Sequence, residues 1–264
     1  MTLDGMSKMF AQERKRLILK TLEEKKRVTI SELEDLLHVS GTTIRNDLSE
    51  LEASHLLVRT HGGAMWVDHV VSVEETIDDR QGKKITEKEE IAKLACLYVH
   101  EHDTIFLDTG TTCFQIAVAF SKLNRSLTII TNDMRIALQL QKSPKIHVIV
   151  LGGSMRNGFE CTLGAETILS LMNYSFDEAF LAANGISLEQ GMTTPDLETA
   201  KVKEVALTRS QHNYLVVDHD KFEKVTVTKF GDLEDIDAIL TDSKIDSDLL
   251  SLYENNHMTI IHEH

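Results

Sequence analysis

Residues 39–48 read Val39-Ser-Gly-Thr-Thr-Ile-Arg-Asn-Asp-Leu48, and their pattern governs the reading of the first part of the chain. Ser40 suits a helix N-cap, because its hydroxyl can accept from a backbone N–H left free in the first turn. Ile44, Leu48 and Leu51 recur at helical spacing and are expected to face a core. Thr42, Thr43, Arg45, Asn46 and Ser49 fall on the other faces. Short hydroxyls, one guanidinium and one amide suit the phosphates and base edges of a DNA major groove. The stretch is therefore expected to be a recognition helix running to about Ser54, with Ser40, Thr42, Thr43, Arg45 and Asn46 as contacts.

The flanks support this reading. Phe10 to Lys25 has Phe10, Leu17, Ile18 and Leu22 near helical spacing, and Val28-Thr-Ile30 is a short β segment. Ser31-Glu-Leu-Glu34 matches a capping box and opens a short helix through Leu33, Leu36 and Leu37. Two short helices separated by His38-Val39 and preceded by a third make a helix-turn-helix. Leu56-Leu-Val-Arg-Thr-His-Gly-Gly63 alternates briefly and ends in a glycine pair, as a β-wing would, with Arg59 and His61 outward. Arg14-Lys15-Arg16 and Lys25-Lys26-Arg27 are further candidates for phosphate contact, although most such runs are solvated helix surface.

The chain of 264 residues is long enough for two domains, and at 42% hydrophobic and 27% charged its composition is that of a globular protein. No apolar run reaches membrane-span length, the first residues lack a signal-peptide core, and no membrane partner is expected. Cys96, Cys113 and Cys161 are widely spaced in apolar surroundings and read as reduced and buried, which places the protein in the cytoplasm. No Cys/His cluster has zinc-ligand spacing, and neither metal nor cofactor is expected. Net charge is −14, yet residues 1–62 carry ten Lys/Arg against ten Asp/Glu, and the remainder holds all the excess acid. A neutral head on an acidic body fits DNA binding by the head alone.

Glu13-Arg14, Ile30-Ser-Glu-Leu33, Val39-Ser40, Thr43-Ile-Arg45, Asp47-Leu48, Leu51-Glu52 and Arg59-Thr-His-Gly-Gly-Ala64 together resemble the N-terminal signature of the DeoR family of bacterial sugar-responsive repressors. The family usually has two consecutive arginines where this chain has Arg45-Asn46. An amide reads adenine whereas arginine prefers guanine or phosphate, so the operator sequence is expected to differ. Asp47 is expected to orient Arg45 or to pair within the domain.

We place a winged helix-turn-helix at residues 1–64, a linker at 65–85 and an effector and oligomerisation domain at 86–264. From Thr86 helices alternate with buried strands, the mark of a mostly parallel α/β sheet covered on both faces. Ligands in such sheets bind at the carboxyl ends of strands. Asp108-Thr-Gly-Thr-Thr112 puts a glycine and three hydroxyls where a helix begins, a phosphate-binding arrangement. Asn132, Gly152-Gly153 and Asn184-Gly185 end other strands, Lys203 lies on the helix Glu198–Arg209, and Lys221 follows Asp218. Taken singly, helix capping accounts for Asp108–Thr112, and the glycine pair reads as a turn.

The resemblance continues through Phe106-Leu-Asp-Thr-Gly-Thr-Thr112, Thr131-Asn132, Gly152-Gly153, Gly164, Gly185-Ile186, Val202-Lys203, Asp218, Lys221-Phe222 and Thr241-Asp242. It implies an effector domain similar in fold to ribose-5-phosphate isomerase, binding a phosphorylated sugar or related metabolite. By that resemblance the effector candidates are Asp108, Gly110, Thr111, Thr112, Asn132, Gly152, Asn184, Gly185 and Lys203. Arg80 and Lys88 stand where the family carries basic residues. Thr199 and Glu223 depart from the family's usual glutamate and glycine. The implied partners are double-stranded operator DNA, a phosphorylated sugar effector and further copies of the chain in a dimer or tetramer. The alternative is a sugar-phosphate isomerase-like enzyme with an appended head. Isomerisation needs a carboxylate base, and the segments where the isomerase resemblance puts its acids hold Leu181, Asn184 and Val202 instead. No catalytic residue is therefore assigned.

Overall fold

The computed structural model of the chain describes residues 10–54, 56–60, 62–66 and 75–263, and divides into two compact units, 1–74 and 75–264. The expected contact His61 lies outside the described residues.

In the first unit, α1 (Ala11–Lys25) ends at Lys26, whose left-handed backbone (φ 61°) returns its N–H to the Leu22 carbonyl. Phe10, expected on the helix's apolar face, is instead the exposed residue before α1, and Ile18, Leu19 and Leu22 form the buried stripe. Strand β1 (Arg27–Thr29) leads into α2 (Ile30–Leu37). The capping box uses Thr29 and Glu32, two residues before the expected Ser31/Glu34 pair. The Thr29 hydroxyl accepts from Glu32 N–H at 3.2 Å, and the Glu32 carboxylate accepts from Thr29 N–H at 2.7 Å. Both pairs fit the Ser/Thr-x-x-Glu pattern, and the end of β1 at Thr29 selects the first. After left-handed His38 comes α3 (Gly41–Ala53), capped by Ser40, whose Oγ accepts from Thr43 N–H at 3.4 Å.

Strands β2 (Val58–Thr60) and β3 (Gly63–Met65) form an antiparallel wing, with β3 also pairing β1. Gly63 is required here, because a Cβ would stand 1.9 Å from the Val28 carbonyl oxygen. Leu33, Leu37, Ile44, Leu48, Leu51, Leu56 and Leu57 close the core of this unit.

The second unit begins within the stretch expected to be linker. Met65 ends β3, and α4 (Ile77–Gln81) is a capped helix with Ile77 buried. A capping box from Thr76 and Asp79 explains a helix too short to show a sequence period. Then follow α5 (Ile85–Ala95), β4 (Thr104–Leu107), α6 (Thr111–Phe120), β5 (Leu127–Thr131), α7 (Met134–Leu140) and β6 (Ile146–Val150). Next are β7 (Ser154–Arg156), β8 (Cys161–Leu163), α8 (Ala165–Leu171), β9 (Phe176–Leu181), β10 (Gly185–Ser187), β11 (Gly191–Thr194) and α9 (Leu197–Arg209). The unit closes with β12 (Ser210–Val216), β13 (Thr228–Gly231), β14 (Ala238–Leu240), α10 (Ser247–Asn255) and β15 (Ile260–Ile261).

Seven strands form one parallel sheet in the order β15-β14-β12-β9-β4-β5-β6. Alternate residues feed two cores: Phe106, Ile130 and Ala179 enter one, and Ile105, Leu107, Ile129 and Phe180 the other. The β7–β8 hairpin and a β10-β11-β13 antiparallel sheet are added to this frame. Strand order reverses at β4, which lies between β5 and β9. The crevice beyond the carboxyl ends of β4 and β9 is the place where such sheets bind ligands.

Candidate nucleic-acid interface and effector site

Helix α3 is anchored from beneath. Ile44, Leu48 and Leu51 are buried, and so is Asp47. Asp47 accepts two hydrogen bonds from Arg14, from Nε at 2.6 Å and Nη2 at 3.0 Å. Of the two roles open to Asp47, pairing within the domain is the observed one. The hydrogen bonds to Asp47 raise the Arg14 pKa against the opposing effect of burial. Lys15 likewise pairs with Glu50, so two of the three cations in the Arg14-Lys15-Arg16 run serve the fold.

The opposite side of α3 presents Thr42, Arg45, Asn46 and Ser49, all exposed and spaced to share one face. Among the described residues neither Arg45 nor Asn46 has a side-chain hydrogen bond or ion pair. Ser40 and Thr43 bond each other, Oγ to Oγ1 at 3.0 Å, so capping accounts for both hydroxyls. Arg59 does not stand outward as expected. Its Nη1 donates to Ser49 Oγ at 2.9 Å and its backbone N–H to Glu52 Oε1 at 3.0 Å, because the wing folds back onto α3. Its guanidinium thereby extends the polar face of the helix.

In the second unit, Asp108 follows β4 and is 1% exposed, and Lys203 of α9 is 3% exposed. The two form an ion pair. Asp108 Oδ2 also accepts from Ala182 N–H at 2.9 Å, and Lys203 Nζ donates to the Ala182 carbonyl at 2.9 Å. Lys203, an effector candidate by the resemblance, is engaged internally in this structure and fixes the ends of β4 and β9 together. Gly110, at φ 117°, opens α6 without a side-chain cap. Thr111 and Thr112 follow with hydroxyls that have no partner among the described residues. Uncapped N–H groups beside two free hydroxyls can hold an anion.

The loop is oriented by a residue the sequence reading passed over. Asp133 is fully buried, and its Oδ2 accepts from Gly110 N–H at 3.2 Å and Arg135 Nη2 at 2.8 Å. Its Oδ1 caps α7 through Arg135 and Ile136 N–H. An aspartate between a strand end and a helix was the available signal.

Other candidates have structural work. Asn132 Nδ2 donates to the Thr162 carbonyl at 2.8 Å and ties β8 to the end of β5, while its Oδ1 is buried without a partner. Asn184 Oδ1 accepts from Thr194 Oγ1 at 3.1 Å. Gly185 is a close-packing glycine, since a Cβ would stand 2.3 Å from the Lys224 carbonyl oxygen. The Gly152 carbonyl accepts from Thr167 Oγ1 at 2.7 Å, at the end of a strand separated from β4 by β5. Glu223, where the family has glycine, takes a left-handed φ of 53°, and its carboxylate accepts from Tyr253 Oη at 2.7 Å. Thr199 joins the cap of α9, its N–H and hydroxyl both donating to Asp196 Oδ1 at 2.8 Å.

A cation cluster lies where β12 ends. Lys84 Nζ donates to Asp218 Oδ1 at 2.9 Å and also pairs with Asp220. Burial opposes the charge of Lys84, but hydrogen bonds to Asp220 and Asp218 outweigh it and raise its pKa. Lys88 is 5% exposed and donates to the Arg80 and Lys83 carbonyls at 2.8 and 2.5 Å. Burial pushes its pKa down to about 8; Asp218 opposes this, and Arg80, Lys221 and Lys84 add to it. Lys221 is half-buried, and its ammonium has no hydrogen bond or ion pair among the described residues. Burial depresses its pKa too; Asp218 opposes this, and Arg80, Lys224 and Lys84 reinforce it. Among the described residues, Arg80, Lys84, Lys88, Lys221 and Lys224 thus gather about Asp218 and Asp220, with Glu87 also facing Lys84. The excess charge can hold a dianion. Strands β12, β9 and β4 are neighbours, so Asp218, Ala182 and Asp108 end three adjacent strands.

The family profile described as the DeoR-like helix-turn-helix domain matches residues 14–70, and that of the DeoR C terminal sensor domain matches 83–243. The HTH-type transcriptional regulator GolR of Listeria innocua is 34% identical over 94% of this chain and 96% of its own. The regulator FruR of Bacillus subtilis is 32% identical over 89% and 93%. A lactose phosphotransferase system repressor of Lactococcus lactis is 33% identical over 83% and 86%. Among solved structures, ribose 5 phosphate isomerase A of Neisseria gonorrhoeae aligns with 51% of this chain and 52% of its own at 16% identity and TM-score 0.38.

Proposed function

The chain belongs to the DeoR family of transcriptional regulators, and we propose that it represses carbohydrate-metabolism genes under control of a phosphorylated sugar or related metabolite. The observation that carries the DNA-binding part is the outward face of α3, where Arg45 and Asn46 have no partner among the described residues. Arginine in the major groove reads guanine or phosphate, and asparagine reads adenine. Thr42 and Ser49 share that face, and Arg59 borders it through Ser49.

For the effector, we place the phosphate against Lys221, Arg80, Lys84 and Lys88, and the sugar hydroxyls toward Asp108, Thr111 and Thr112. The unpaired ammonium of Lys221 inside a cation-rich site supports a dianionic ligand. Arg80 belongs to α4, the first described helix of the second unit. A homo-oligomer presents paired heads to repeated half-sites, and effector binding shifts the arrangement of those heads. A coupling of about 1–3 kcal/mol, typical of such linkage, changes operator affinity roughly 5- to 150-fold.

The enzyme alternative has less support. No carboxylate base stands at Leu181, Asn184 or Val202, and Asp108 is held by Lys203. The test uses the full-length protein in gel-shift titrations with promoter fragments and in thermal-shift measurements with phosphorylated and unphosphorylated sugars. Arg45→Ala is expected to weaken operator binding at least tenfold and leave the melting profile intact. Lys221→Ala is expected to abolish stabilisation by sugar phosphates and spare effector-free DNA affinity. Unchanged operator affinity in Arg45→Ala, or turnover of aldose and ketose phosphates, would overturn the assignment.

A further inference from the structure

At the opposite end of the parallel sheet, the amino ends of its strands, three side chains converge. Asp103 immediately precedes β4, His100 stands three residues earlier in the same turn, and Glu178 belongs to β9. Register brings them together, because Ile105 of β4 pairs with Glu178 of β9. One ligand atom from each of His100, Asp103 and Glu178 lies within 4.8 Å of the other two. His100 Nδ1 is 3.5 Å from Asp103 Oδ2. His100 is exposed and Asp103 is partly so, giving access from solvent.

Glu178 separates this group from an ordinary acidic surface cluster. The residue is 5% exposed, and its Oε2 is buried with no hydrogen-bond partner. A buried carboxylate oxygen without a donor is costly, and native structures supply a partner for nearly all of them. The groups around it do not neutralise it. Asp103, which shares a side-chain hydrogen bond with it, and Asp177 are carboxylates, Tyr214 is a phenol, and His212, its register partner on β12, is exposed. Burial, then Asp103 and Asp177, push the Glu178 carboxyl up to about 8.

We propose that His100, Asp103 and Glu178 form a binding site for a first-row divalent cation of the zinc, cobalt or manganese class. One imidazole nitrogen with two carboxylate oxygens is a donor set for those ions. Calcium and magnesium prefer oxygen alone. Ligands at about 2.0–2.2 Å from one tetrahedral ion stand roughly 3.3–3.6 Å apart, so the exposed His100 side chain swings inward on binding. Three protein ligands leave the remaining positions to water. The cation supplies the positive charge that Glu178 lacks and clamps the turn before β4 to β9. This site is independent of the effector cluster, which lies at the carboxyl ends of the strands.

The experiment uses full-length protein stripped with a chelator and dialysed into metal-free buffer. Cobalt(II) is followed by its visible absorption and zinc(II) by titration calorimetry. The expected result is one saturating equivalent per chain, with affinity reduced about tenfold or more in His100→Ala and in Glu178→Gln. His100 is exposed, so His100→Ala retains the fold and decides the question even should Glu178→Gln or Asp103→Ala fail to fold. Glu178→Gln adds a second readout: its metal-free melting temperature is expected to equal or exceed that of the parent, while the cobalt spectrum disappears. Absence of a saturating equivalent, or His100→Ala binding as tightly as the parent, overturns the proposal and leaves Asp103 and Glu178 as a carboxyl pair sharing a proton.

Discussion

Replacing Lys203 by Met tests how the carboxyl ends of the sheet are held. The substitution keeps side-chain length and helix propensity in α9 but removes the only side-chain cation that contacts Asp108 among the described residues. Asp108 is then left at 1% exposure with Ala182 N–H as its remaining donor, and the Ala182 carbonyl loses its bond from Nζ. Breaking one partner of a buried pair costs about 3–5 kcal/mol. In a unit of this size each kcal/mol lowers the melting temperature by roughly 2–4 °C, so a fall of about 6–20 °C is expected. Asp108→Asn with Lys203→Met removes the stranded charge and should recover most of the loss, giving a coupling energy of about 2 kcal/mol or more in a double-mutant cycle. Circular-dichroism melts and urea titrations of the four proteins supply the numbers. A Lys203→Met protein within about 1 kcal/mol of the parent would refute the view that this pair holds β4 to β9. Loss of effector response in any Lys203 variant has to be judged against this destabilisation.

Three more outcomes are expected. Asp47→Ala removes the buried carboxylate that takes two hydrogen bonds from Arg14 and should destabilise the head by about 3 kcal/mol, so that operator binding falls together with the head's melting transition, whereas Arg45→Ala separates the two. Gly63→Ala drives a Cβ against the Val28 carbonyl and should cost about 1–3 kcal/mol, read by urea denaturation; an unaltered midpoint would mean the wing is not packed on β1 as described. Effector affinity should fall as pH rises through about 8, because the depressed Lys88 pKa means its cation is lost there while a phosphate monoester stays dianionic. Conversely, the effector-free protein should gain stability from Lys88 as pH rises from about 8 toward the ordinary lysine range, where the unfolded chain still binds the proton and the folded one does not. Calorimetric titrations at pH 7 and 9, with Lys88→Met expected to flatten the difference, check both.

Short-range rules carried much of the fold into the sequence. Helical periodicity through Ile44, Leu48 and Leu51, the Ser40 cap and apolar strands alternating with helices each depend on residues within a few positions of one another. Where two local solutions competed, as with Thr29/Glu32 and Ser31/Glu34, pattern alone did not choose, and the end of β1 did. Helix α4 was hidden for a related reason, since five residues are too few to reveal a period.

By itself the sequence determined a winged helix-turn-helix ahead of a parallel α/β unit, and a polar outer face of α3 bearing Arg45 and Asn46. Only the tertiary structure decided which charged residues are spent inside the fold and which remain for a ligand. Arg14 meets Asp47 from 33 positions away, Lys203 meets Asp108 from 95, and Lys84 meets Asp218 from 134. Burial at strand ends, which no local spacing encodes, turned Lys203 into a clamp. It left Lys221 an unpaired cation and brought Glu178 to His100 and Asp103. The physical reason is that helix and strand propensities act between neighbours in the chain, whereas ion pairing and desolvation act between neighbours in space.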